Sequence, residues 1–306
     1  STGIDSSDVI SIVGATGDSD VITGSVARSA TAVSYDLANV TGIDSLTISR
    51  ASGATTSATA TVNTGADSIA VTLSGSVADS LSLNLTSSTG SVTVTSGAGA
   101  DTINLSYARF GSYVTDSSAD SASTEIVNAD QLGDSVSDWI SVGGGADSVR
   151  VDAKDTVYAG DGADTIVSNL EGAESLSALY IIGGGGSDVI SVNGSYDWID
   201  GGNDNDHLII LGSSNLQTAT VDGGSGMDTV RFASAVTLAD SVFANFKNVE
   251  VLDLSSNGAA DAVTLGAAAD LAGFATILLG EADTVSLVGM GAIQVNLASS
   301  GSGSFR

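Results

Sequence analysis

One short phrase constrains this chain more than any other: an aspartate, any residue, then Val, Ile or Leu, repeated at a fixed interval. Asp188-Val189-Ile190, Asp197-Trp198-Ile199 and Asp206-His207-Leu208 stand nine residues apart, and Asp138, Asp147, Asp155 and Asp164 are separated by eight or nine. Ahead of residue 110 the phrase recurs at Asp8, Asp20, Asp44, Asp67, Asp79 and Asp101, at intervals near 12 or 23. Beyond Asp228 it returns at Asp261 and Asp283, 22 residues apart. Nine residues make one strand and one turn, too little to bury an apolar side chain alone, so such units must stack on their neighbours. Two of them form one flattened coil with a parallel sheet on each side, and longer units form a wider coil by the same logic.

The local pattern agrees. SLTIS (45–49), SIAVTLS (68–74), SLSLNL (80–85), SVTVTS (91–96) and TINLS (102–106) alternate apolar and polar residues, carry many β-branched residues, and end in Gly, Ser, Asn or Asp. That is the strand signature, and helical periodicity is hard to find. The expected fold is all-β, a parallel β-solenoid with three regions. Residues 1–135 form a wider, irregular solenoid, 136–232 a tight roll, and 233–306 a continuation or cap.

Composition narrows the chemistry. The 306 residues include 8 Lys and Arg against 36 acids, a formal net charge of −28. Nucleic acid and anionic membrane both need a cationic face, so both are excluded as direct partners. Five of the 36 acids are glutamates, leaving 31 aspartates. An Asp bias among Gly, Ser, Thr and Asn suits turns and short carboxylate ligands. The 42% hydrophobic content argues for an ordered chain. With no cysteine, neither disulfides nor thiolate metal sites exist. One histidine, His207, cannot make an HExxH zinc site, and neither a GxSxG elbow nor a phosphate loop is present, so no catalytic residue is assigned. The longest apolar region (265–280) is interrupted by Asp270 and too short to span a bilayer, which predicts no transmembrane segment. No start methionine, signal peptide or lipobox opens the chain, which points to a processed or partial chain.

Aligned on the aspartate, GGGGSDVIS (183–191) and GGSGMDTVR (223–231) are joined by AGDGADTIV (159–167), VGGGADSVR (142–150) and GGNDNDHLI (201–209). These phrases resemble the nonapeptide GGxGxDxUx of RTX proteins, U being a large apolar residue, whose repeats form a calcium-binding parallel β-roll. FANFKNVEVLDLSSNG (243–258) is similar to the capping phrase that follows RTX blocks in large secreted proteins and bacterial surface-layer proteins. The Thr/Ser/Ala/Gly/Val-rich strands, scarce lysine and absent cysteine also look like surface-layer subunits.

The resemblance implies several bound Ca2+ ions. Glycines would let the turns take left-handed angles and aim carbonyls inward, and each aspartate would add a hard carboxylate oxygen. The ligand turns would be those of Asp147, Asp164, Asp188, Asp206 and Asp228, with Gly143, Gly145, Gly160, Gly162, Gly183, Gly185, Gly201 and Gly223. Same-edge turns would pair Asp147 with Asp164, Asp188 with Asp206, and Asp206 with Asp228. The opposite edge (Asp138, Asp155, Asp197) has glycine-poor turns, Asp67 and Asp101 look like degenerate versions, and Asp204 replaces the fourth glycine of its unit. Ile166, Ile190, Ile199, Leu208 and Val149 should point into the core, and Trp139 and Trp198 outward, there to stack on a sugar or on neighbouring coils.

The expected function is that of an extracellular, calcium-dependent structural protein of a bacterial surface layer, exported by a type I channel. Its partners would be further copies of itself and lipopolysaccharide or a surface glycan. The alternative is a calcium-binding accessory roll or adhesin segment of a larger RTX enzyme, toxin or adhesin. These two separate on flanking sequence and on whether the isolated chain assembles with calcium.

Overall fold

The computed structural model describes residues 21–26, 32–37, 45–50, 59–64, 68–73, 77–85, 91–107, 111–116, 123–129, 137–152, 154–168, 178–192, 197–212, 218–280, 282–297 and 304–305. It divides into two compact units, 1–161 and 162–306. Each unit is a parallel β-solenoid.

In the first unit, successive strands alternate between two parallel sheets. One holds Val21–Val26, Ser45–Arg50, Ser68–Thr72, Ser91–Ser96, Ser112–Asp116, Trp139–Ser141 and Thr156–Asp161. The other holds Ala32–Leu37, Thr59–Thr64, Ser80–Leu85, Thr102–Tyr107, Ile126–Asn128 and Ser148–Val151. Leu46 pairs with Ile69 and Ser68 with Ser91, so a wide coil takes 23 residues. Further on Trp139 pairs with Thr156, a coil of 17.

The second unit repeats the plan with Tyr180–Gly185, Trp198–Asn203, Thr220–Ser225 and Phe246–Lys247 in one sheet. The facing sheet runs Thr165–Ser168, Val189–Val192, His207–Ile210, Thr229–Phe232, Val251–Asp253, Thr276–Leu279 and Gln294–Leu297. Tyr180 pairs with Trp198, and Val189 with His207, so two nine-residue units do close one 18-residue coil. Toward the end of the chain a third sheet appears: Thr237–Leu238, Ala262–Leu265, Thr284–Leu287 and Ser304–Phe305. The apolar run at 265–280 folds as the short helix Ala267–Ala272 followed by the strand Thr276–Leu279. No helix among the described residues is long and apolar enough to cross a membrane.

Alternation builds the core. Successive strand side chains point to opposite faces, and in Val189–Val192 every second residue is buried. Val149, Ile166, Ile190, Ile199 and Leu208, each two places after a repeat aspartate, are at most 1% exposed. An outward position near the start of these strands carries the aromatics. Tyr180 stacks on Trp198 with centroids 4.3 Å apart, and Tyr113 on Trp139 at 4.4 Å. The rings of neighbouring coils cover one another, so the contact these tryptophans make is inter-coil packing. The phrase at 243–258 begins in a 3-10 turn, Asp240–Asn245, and continues through the strands Phe246–Lys247 and Val251–Asp253; Phe243 meets Phe246 and Phe274 edge to face at 5.5 and 5.1 Å.

Candidate metal centre

A parallel strand entered from a turn leaves its first N–H without a partner in the sheet, and a buried orphan donor is costly. This chain meets that need with aspartate. In the second unit the N–H of Asp164 donates to Oδ1 of Asp188, that of Asp188 to Oδ1 of Asp206, and that of Asp206 to Oδ1 of Asp228, each at 2.8 Å. The N–H of Asp228 donates to Oε2 of Glu250 at 2.9 Å, so a glutamate completes the column. Each aspartate carbonyl in turn accepts the first strand N–H of the next coil, as with His207 on Asp188 and Thr229 on Asp206. The expected same-edge pairs of Asp188 with Asp206 and of Asp206 with Asp228 are adjacent rungs. Asp147 and Asp164 belong to different units.

Similar rungs occur elsewhere: Asp79 to Asp101, Glu125 to Asp147, Ser112 to Asp138, Asp138 to Asp155, Leu179 to Asp197, Val236 to Asp261 and Asp261 to Asp283. The second carboxylate oxygen separates them. In Asp101, Asp155 and Asp283 it accepts another backbone N–H, from Gly97, Asp152 and Gly280, and in Asp261 it accepts from Asn257. In Asp188, Asp206 and Asp228 the Oδ2 atom is buried and accepts no hydrogen bond. Asp67 lies outside the described residues.

The glycines explain what faces those oxygens. A Cβ built on Gly183 would collide with Asp188 Oδ2 and with the carbonyl oxygen of Gly201 in the next coil. On Gly201 it would collide with Asp206 Oδ2 and the Gly223 carbonyl; on Gly223 with the Asn248 carbonyl and, at 2.7 Å, with Asp228 Oδ2. The first glycine of each unit thus keeps open a cradle lined by a carboxylate oxygen and a main-chain carbonyl. At the Asp147 and Asp164 units that first position is Val142 or Ala159, both buried apolar side chains.

The left-handed positions are the second and fourth of each unit. They are Gly143 and Gly145, Gly160 and Gly162, Gly184 and Gly186, and Gly224 and Gly226, whereas Gly183 and Gly185 keep ordinary φ. In the unit at 201–209 Gly202 is paired with Asp204, which takes φ +72°, an angle that aspartate tolerates better than most residues. The Asp204 carbonyl packs against Gly226, so Asp204 performs the fourth glycine's backbone role. It is solvent-exposed.

Electrostatically the column is loaded with like charge. Burial pushes Asp188 and Asp206 up to about 7 against the pull of their backbone hydrogen bonds, with neighbouring carboxylates adding to the rise. Burial also raises Asp228, beside Glu250 and Asp222. Rungs stacked about 4.8 Å apart repel unless protonated or neutralised. On the neighbouring sheet Asp200, Asp222 and Lys247 stand in register, and Lys247 forms an ion pair with Asp222 while Asn248 Nδ2 donates to Asp222 Oδ1 at 2.7 Å. The phrase at 243–258 therefore brings its own cation to the end of the glycine block.

Among the described residues no three His, Cys, Asp or Glu side chains converge as a metal site. A cation in the cradles would take one carboxylate oxygen per rung and complete its shell with glycine carbonyls and water. An all-oxygen set with irregular geometry suits calcium better than zinc or magnesium. Comparison of the chain with protein-family models, with curated proteins and with solved structures finds no match.

Glu250 and Lys247 were not among the residues picked out from sequence. Glu250-Val251-Leu252 has the same shape as the aspartate phrase with one more methylene, so a search allowing either acid would have found it.

Proposed function

We propose that this chain is an extracellular structural protein that folds and self-assembles on binding calcium, of the kind that builds bacterial surface layers. The observation that carries the reading is the row of buried Oδ2 atoms on Asp188, Asp206 and Asp228, without hydrogen bonds and each beside a main-chain carbonyl of the next coil. A buried, ionised, unpaired carboxylate is expensive, and a divalent cation between rungs removes that cost. Binding free energy then becomes folding free energy, about 2.7 kcal/mol for each site at a hundredfold excess over its Kd. A net charge of −28 acts in the same direction, because the chain repels itself until cations arrive. Extracellular calcium modules work at about 10⁻⁴–10⁻³ M, so the chain would be least stable during export and gain stability outside. Further copies of the chain and anionic lipopolysaccharide are the partners that calcium would bridge.

The test is a circular dichroism melt of the full chain in EGTA and in about 1 mM calcium, the upper end of that range, with light scattering to follow assembly. We expect a calcium-dependent rise in the midpoint and calcium-dependent assembly. A spectrum and midpoint indifferent to EGTA overturn the reading.

A further inference from the structure

Glu125 occupies, in the first unit, the place that an aspartate occupies in the coils on either side. Its N–H donates to Asp147 Oδ1 at 2.8 Å, and its carbonyl accepts the N–H of Ser148 at 2.8 Å. Ile126 and Val127 after it pair with Ser148 and Val149. Its side chain is fully buried at 0% exposure, no donor reaches Oε1 or Oε2 in hydrogen-bond geometry, and the nearby Ser123 side chain works to keep the carboxyl ionised. The charged groups that act on it are both acidic, Asp147 and then Asp116, and burial with Asp147 pushes it up to about 8. A glutamate in this setting needs a proton or a cation.

The surroundings supply oxygen atoms. A Cβ on Gly143 would lie 2.7 Å from Asp116 Oδ2, and the Ser123 carbonyl oxygen packs against Gly145. The Asp147 turn (VGGGAD, 142–147) carries the glycine phrase, but the sequence from Asp116 to Glu125, DSSADSASTE, contains no glycine at all. No nonapeptide pair exists here, so the repeat pattern does not lead to this place.

We propose that Glu125 and Asp147 together bind a divalent cation of the calcium class, separate from the column of the second unit. Since three acidic side chains do not converge among the described residues, main-chain carbonyls and water complete the shell, and Asp116 adds negative potential. The inference shares the calcium chemistry proposed above, but it rests on Glu125 and not on the second-unit column.

Native mass spectrometry of the full chain at saturating calcium counts the ions directly, and calorimetry ranks them. Glu125→Gln keeps shape and removes charge; it should bind one ion fewer than wild type. Asp206→Asn should lose ions independently, so the two losses add in the double variant. Glu125→Asp, which keeps the charge on a shorter arm, should retain the ion with an affinity lowered about tenfold. A wild-type ion count in Glu125→Gln overturns the proposal and identifies instead a carboxyl–carboxylate pair sharing a proton. If Glu125→Gln loses the wild-type circular dichroism spectrum, Glu125→Asp decides, and undiminished affinity in it overturns the proposal. Loss of an ion in Glu125→Gln with an unchanged count in Asp206→Asn supports this site while sinking the reading of the second-unit column.

Discussion

The backbone N–H of Asp188 donates to Oδ1 of Asp206 at 2.8 Å, across 18 residues of chain and one coil of the solenoid. The bond gives Asp206 a structural duty on one oxygen and leaves Oδ2 buried without one. Stability and cation binding therefore sit on two atoms of the same side chain, and substitutions can separate them.

Asp206→Asn keeps an oxygen for the Asp188 N–H and removes the charge. We expect the calcium-free fold to survive, with a midpoint no lower than wild type, while the calcium-induced rise shrinks. Asp155→Asn should behave in the opposite way. Both Asp155 oxygens accept backbone N–H groups, so an amide nitrogen set against one of them costs about 1–3 kcal/mol whether or not calcium is present. Paired melts of the two variants, in EGTA and in calcium, check the contrast.

Gly201→Ala tests the cradle. Gly201 does not have a positive φ, so its cost is not backbone strain; the added methyl meets Asp206 Oδ2 and the Gly223 carbonyl. Gly258→Ala is the control, since its Cβ meets nothing within 4 Å although its φ is +67°. The control should lose about 1 kcal/mol from left-handed strain and keep full calcium affinity. Gly201→Ala should lose calcium affinity at least tenfold by calorimetry.

In EGTA the chain should become more stable on mild acidification. Asp188 and Asp206 are held up to about 7 by burial, well above the unfolded carboxylate value near 3.9. The folded state thus binds more protons than the unfolded one, and stability grows as pH falls from above 7 towards 4. Protons compete with calcium for the same oxygens, so the gain from calcium should shrink over that interval. A melting series from pH 8 to about 5, with and without calcium, reads both trends; a calcium-free midpoint that falls with acidification contradicts them.

Asp240 carries the opposite sign. Burial alone would raise it, but the N–H groups of Ala269, Ala268 and Gly266 outweigh that and hold it below the usual carboxylate range. Those bonds, at 3.0, 3.1 and 2.7 Å, cap the helix Ala267–Ala272 from 26 or more residues away. The stability it adds is present above the unfolded value and is lost as pH falls through the lower folded one. Asp240→Ala should cost about 1–2 kcal/mol at neutral pH, readable as a lowered denaturant midpoint independent of calcium.

Much of this was legible in the sequence because a solenoid is nearly one-dimensional. Period gives coil length, and alternation gives the buried face, which is why Ile190, Ile199 and Leu208 could be placed in the core from spacing alone. The repeat also marked the aspartates that stack. What spacing could not reveal is which carboxylate oxygen remains available, because that depends on backbone groups such as Asp152 N–H or Gly280 N–H arriving beside the second oxygen. Nor could it rank the glycines. Gly184 and Gly186 bend the turn while Gly183 clears the cradle, and within a run of four the letters are identical. Glu125, Glu250 and Lys247 took their places from neighbours 22 to 25 residues away. By itself the sequence determined a parallel solenoid and its inward face, since both follow from local periodicity. The division of aspartates into those satisfied by backbone and those left for a cation was decided only by the stacking of coils, because hydrogen bonds and charge repulsion act between atoms that the chain brings together only when it folds.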